Sequence, residues 1–136
     1  MNSRTVKCLA LAAGFALTVN CGGSSTSPSP NPNPGGGSTG PIGATITIGA
    51  NGVLSPSSVT ISPGQSVMFV NNHSGDHQMA SDPHPNHTDC PAINALNTLG
   101  AGQSRATNAL STTRTCGIHD HLADTNANLQ GRIIVQ

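Results

Sequence analysis

At 136 residues the chain has room for one ordinary domain, and its charged residues amount to 7% with a formal net charge of zero. No Lys/Arg cluster is present to release counterions from a phosphate backbone, so nucleic acid is excluded as a partner. Glu is absent throughout, and no paired catalytic carboxylates, Ser/His/Asp arrangement or phosphate loop stands in the sequence, so it reads as a non-enzyme.

The chain begins "MNSRTVKCLALAAGFALTVNCGGSS". Arg4 and Lys7 precede an apolar run from Cys8 to Val19, too short to cross a bilayer core of about 30 Å but suited to an export signal. Its ending "LTVNC" resembles a bacterial lipoprotein signal, although Asn20 departs from the small residue usual there. The resemblance implies that residues 1–21 are an export signal and that Cys21 is lipidated. The protein is then periplasmic or at the cell surface, held to a membrane through a lipid anchor. Residues 22–43 are built mainly from Gly, Ser, Thr, Pro and Asn, cannot offset the entropy of ordering, and are expected to be a disordered linker.

The folded unit is expected over 44–136, with a core of Val, Ile, Leu and Met and Phe69 as its one aromatic residue. "ATITI" (44–48) alternates. "SVTI" (58–61) and "SVMFV" (66–70) flank "SPGQ", where Pro63 presets φ and Gly64 accepts a positive φ, giving a hairpin-like reversal or a strand-to-strand loop. "CPAINALNTLG" (90–100) comes nearest to a helical pattern and is expected to hold one short turn. "SRATNAL", "TTRTCGI" and "GRIIVQ" supply further short strands. Several short strands with turn signals point to an antiparallel β-sandwich of seven or eight strands, with a monomer expected.

All six histidines fall in "NNHSGDHQMASDPHPNHTDC" (71–90) and "CGIHDH" (116–121). Imidazole and thiolate together suit copper or zinc, whereas hard oxygen-seeking ions are disfavoured. "VTISPGQSVMFVNN" followed by "HSGDHQMASD", then "CGIH" and the closing "LQGRIIV", resembles the cupredoxins, the blue-copper family of plastocyanin. The resemblance implies a Greek-key sandwich holding one copper ion through His77, Cys116 and His119, with Leu129 where the family's weak axial Met stands. It also implies one-electron transfer or copper holding, with a redox or copper-exchange protein as partner. The loop from His119 to Leu129 is longer than in plastocyanins, and "SDPHPNHTDCP" is unusual. The pattern resembles a subgroup of exported cupredoxin-like domains.

Two readings of Cys116 stand at this point. With Cys21 lipidated, Cys90 and Cys116 are the remaining exported cysteines, and in an oxidising compartment they would pair. The function is then that of a metal-binding or delivery module using histidines alone. If "HDH" is extended, His119 and His121 share a face and bind one metal together, with His84 and His87 as further metal or orienting contacts. Asp82, Asp89 and Asp120 read as turn formers or histidine-orienting acceptors, and His73 as a surface residue. A non-metal adhesion or recognition sandwich leaves the histidine density unexplained. A superoxide dismutase-like copper/zinc site lacks a bridging histidine and aspartate set.

Overall fold

The computed structural model describes residues 39–136. The expected export signal (1–21), the lipidation position Cys21 and the linker through residue 38 lie outside the described residues. The folded unit starts slightly before Ala44: β1 is Ile42–Ile48, and the Gly40 amide already donates to Ser66 Oγ at 2.9 Å.

Eight strands form two four-stranded sheets among the described residues. The first sheet runs β2 (Leu54–Ser55), β1, β4 (Ser66–Asn71), β6 (Ser104–Ala106). The second runs β3 (Ser58–Ile61), β8 (Gln130–Val135), β7 (Arg114–Asp120), β5 (Met79–Ser81). Alternation decides which side chains enter the space between the sheets. Ile46 and Ile48 of β1, Val67 and Phe69 of β4, Cys116 and Ile118 of β7, and Ile133 and Val135 of β8 are all buried in one apolar cluster. The expected sandwich is therefore present, but its sheets are mixed rather than antiparallel. β1 pairs in parallel with β4, and β3 in parallel with β8.

The Ser62–Gln65 turn explains the parallel pairs. Gly64 takes φ +87, and the Gln65 amide donates to the Ser62 carbonyl at 3.1 Å. The turn carries the chain from β3 in one sheet to β4 in the other. It is a corner between layers and not a hairpin, so neighbours in the sequence do not become neighbours in a sheet. The helical turn is short, α1 (Pro91–Asn94), and drives Ile93 fully into the core.

Candidate metal centre

β7 has two faces, and its chemistry divides between them. Side chains alternate along a strand, so Cys116, Ile118 and Asp120 share the side turned toward the core, while Gly117 and His119 lie on the outer side. Cys116 and His119 are thus an odd number of residues apart on an extended strand and point to opposite sides of the sheet. The C-x-x-H spacing cannot chelate a metal here.

On the outer side, His84, His87, His119 and His121 gather their ring nitrogens, one from each residue, within 4.8 Å of one another. His87 Nε2 stands 3.3 Å from His119 Nε2 and 3.2 Å from His121 Nδ1. The His84 ring centroid lies 5.2 to 5.5 Å from those of the other three. His119 comes from β7, and His121 opens the 3-10 turn His121–Ala123, whose amide at Leu122 donates to Asp120 Oδ1.

The other two come from the loop after β5, which folds back over the sheet. The Asp82 amide donates to the Gly117 carbonyl at 3.0 Å, and the loop closes on itself through the Asp89 amide to the Asp82 carbonyl (2.8 Å) and the His87 amide to the Pro83 carbonyl (2.7 Å). Asn94 on α1 ties it down, donating to the His87 carbonyl at 2.8 Å. His87 itself takes φ +51, a left-handed conformation that side chains seldom adopt. Asp82 lies across Gly117, where a Cβ would collide with its carboxylate, and accepts from His119 Nδ1 at 2.6 Å. That bond fixes the tautomer: His119 Nε2 keeps a free lone pair directed at the cluster, the arrangement in which carboxylates orient metal-binding imidazoles.

Electrostatics favours a neutral ring at His87. Partial burial, followed by the neighbouring His119, His121 and His84, lowers the pKa of His87 below 6.5, with Asp82 opposing. Metal bonds of about 2.0–2.1 Å place tetrahedral donors about 3.3 Å apart. The closest spacings here match that value, and four neutral imidazoles are a donor set that copper(II) and zinc both accept. The residues present therefore fit a single borderline metal ion.

The core-side group is different. His77 is 5% exposed and Asp120 1%. His77 Nδ1 bonds Asp120 Oδ2 at 2.7 Å, and its Nε2 meets His73 Nδ1 at 2.9 Å. Asp120 Oδ1 also accepts from the Gln78 amide at 2.8 Å. The buried Asn71 shapes the preceding turn, donating to the Gly75 and Leu99 carbonyls and accepting from the His73 amide. His73, read from the sequence as a surface residue, is the partner of His77.

The blue-copper set expected from the sequence does not assemble. Cys116 is bonded to Cys90, with Cα atoms 5.8 Å apart, and a disulfide sulfur is not a thiolate ligand. Leu129 sits in the apolar core. His77 is engaged with Asp120 and His73, and of the expected trio only His119 belongs to the four-imidazole cluster. The residues named as secondary contacts, His84, His87 and His121, make up the rest of it. Two signals in the sequence point to this set: the close pairing of His119 and His121 in "HDH" where β7 ends, and the way Cys90 closely follows His87 while Cys116 closely precedes His119.

No protein-family model matches the chain, and no curated protein does. Solved structures do. An oxidized plastocyanin from Dryopteris crassirhizoma is 21% identical with a TM-score of 0.54, covering 68% of this chain and 99% of its own. A purple cupredoxin from Nitrosopumilus maritimus is 18% identical with a TM-score of 0.53 over the same shares, 68% and 99%. A Cu(I) methionine-to-alanine mutant of amicyanin is 14% identical with a TM-score of 0.53, covering 80% of this chain and 95% of its own. The fold is a cupredoxin-type β-sandwich. At these identities the likeness concerns the fold, and the site must be argued from the residues above.

Proposed function

We propose that this protein holds one copper ion through His84, His87, His119 and His121, as a histidine-only copper-binding module outside the cytoplasmic membrane. The observation that carries this is the convergence of four imidazole nitrogens within 4.8 Å, one of them oriented by Asp82. Nitrogen donors of this kind bind copper(II) ahead of the other divalent first-row metals. Bound copper would supply one-electron chemistry. The residues supply the donors, and Asp82 and the folded-back loop hold them in place.

The export signal and Cys21 support a lipid-tethered location, and the Cys90–Cys116 disulfide accords with an oxidising compartment. A one-electron carrier role draws on the solved neighbours, among them a fern plastocyanin described in oxidized and reduced structures. Copper holding is preferred because the cysteine at the family's thiolate position is in a disulfide. The partner on this reading is a protein that exchanges copper with the exposed edge of the cluster, where His84 is accessible.

The test is copper(II) loading of the exported chain with metal analysis and electron paramagnetic resonance. One ion per chain with nitrogen-only hyperfine structure and no intense thiolate band is expected. A blue or green thiolate band lost in Cys116→Ser would overturn the assignment.

A further inference from the structure

The four donors come in two pairs from two pieces of backbone: His84 and His87 from the loop after β5, His119 and His121 from the end of β7. At its start the loop is joined to β7 by the hydrogen bond from the Asp82 amide to the Gly117 carbonyl, 3.0 Å. At its end it is joined to the same strand covalently, through Cys90–Cys116. The cross-link bridges the two pieces that must stay together for four imidazoles to meet. Both cysteines are buried, Cys116 at 0% and Cys90 at 4% exposure, so a reductant can reach a sulfur only when the loop lifts.

Resting on the four-histidine reading, we propose that Cys90–Cys116 is a redox clamp on the metal site: a dithiol reductant that opens it weakens metal binding, and bound metal in turn shields the disulfide. The exchange balances simply. A reductant thiolate attacks one cysteine sulfur to give a mixed disulfide, and the reductant's second thiol displaces it. Two electrons pass to the cysteines, two protons end on the Cys90 and Cys116 thiols, and the reductant leaves as its own disulfide.

Once the clamp is open, the loop is held by single hydrogen bonds such as Asn94 to the His87 carbonyl. Gathering the donors then costs the conformational entropy that the cross-link had removed. Conversely, a metal bound to His87 and His119 ties loop to strand, so lifting the loop requires releasing the metal. Linkage makes the two effects reciprocal at equilibrium.

Zinc(II) is the probe, because the same imidazoles accept it and it has no redox chemistry of its own. Protein reduced by a phosphine and freed of it without air is titrated with zinc(II) against a chromophoric chelator, beside the oxidised protein. In parallel, the rate at which the phosphine opens the disulfide is followed by alkylation and mass, with and without zinc(II). Reduction is expected to weaken zinc binding by about tenfold or more, and zinc to slow opening because the loop must release the metal before it lifts, the slowing being lost in His87→Ala. Should the reduced protein lose its β-sheet circular dichroism, the zinc protection of the oxidised protein decides alone. Zinc bound by the oxidised protein through the four histidines, with opening equally fast in its presence, overturns the clamp. Failure of the oxidised protein to hold zinc at all overturns the four-histidine reading, and the clamp with it.

Discussion

Two histidine groups lie on opposite sides of the end of β7, and their nitrogens are used in opposite ways. On the core side, His77 has both ring nitrogens engaged, one with Asp120 at 2.7 Å and one with His73 at 2.9 Å. On the outer side, His119 has one nitrogen engaged by Asp82, and its other faces His87, which faces His121 in turn. Protons on His87 Nε2 could satisfy at most one of its two imidazole neighbours, so these lone pairs converge on one another. A histidine whose partners are complete stabilises the fold, whereas histidines that present lone pairs to one another are a site for a cation. Burial alone would not have separated them, since His77 is 5% exposed and His119 3%.

The sharpest way to break this comparison is to remove one imidazole from each group. His119→Ala should weaken copper(II) or zinc(II) binding by more than the about 10–100-fold that losing an orienting partner costs. His73→Ala should leave affinity nearly unchanged. Competition titration against a chelator reads both, and equal losses would erase the distinction between the groups.

The two carboxylates should exchange roles in the same sense. Asp82→Asn should lower metal affinity about 10–100-fold, because the amide no longer fixes the His119 tautomer, with little change in stability, the Asp82 side chain being half-exposed. Asp120→Asn should instead lower unfolding free energy by about 1–3 kcal/mol, since one of the two buried acceptor oxygens becomes an amide nitrogen that cannot accept and leaves a partner unpaired, with a smaller effect on metal. Chemical denaturation of the metal-free protein and the same titration separate the outcomes.

The smallest effect is a pH dependence that arises at His87. The folded-state pKa of His87 lies below 6.5, so the unfolded chain binds the proton more readily. The contribution of His87 to stability is complete above pH 6.5 and is lost as pH falls through the lowered folded value. Denaturation midpoints of the metal-free protein should therefore decline over that window, and less so in His87→Ala.

Much of the architecture was legible in the order of residues. Alternation in "ATITI" and the apolar, β-branched runs in "SVMFV" and "GRIIVQ" mark strands whose inward side chains do form the core, and "SPGQ" marks a turn that does occur at Gly64. Local patterns report local conformation, and a strand's period is local. What they do not report is which strands become neighbours, and this is why the sheets are mixed where antiparallel pairing was expected: the Ser62–Gln65 corner sends the chain into the other layer.

The site divides along the same line. That the histidines and two cysteines serve a metal, a disulfide or both could be read from residue type, because imidazole and sulfur chemistry belongs to the side chain itself. The choice between Cys116 as ligand and Cys116 as cross-link was a question of direction. C-x-x-H brings sulfur and imidazole together in a bent loop and sends them to opposite sides of an extended strand, and β7 remains extended through Asp120. Only the tertiary structure decides that, because the pairing of β7 with β8 and β5 holds the segment straight, and the fold of the 82–90 loop over the outer face brings His84 and His87 to His119 on β7 and to His121 in the turn that follows it.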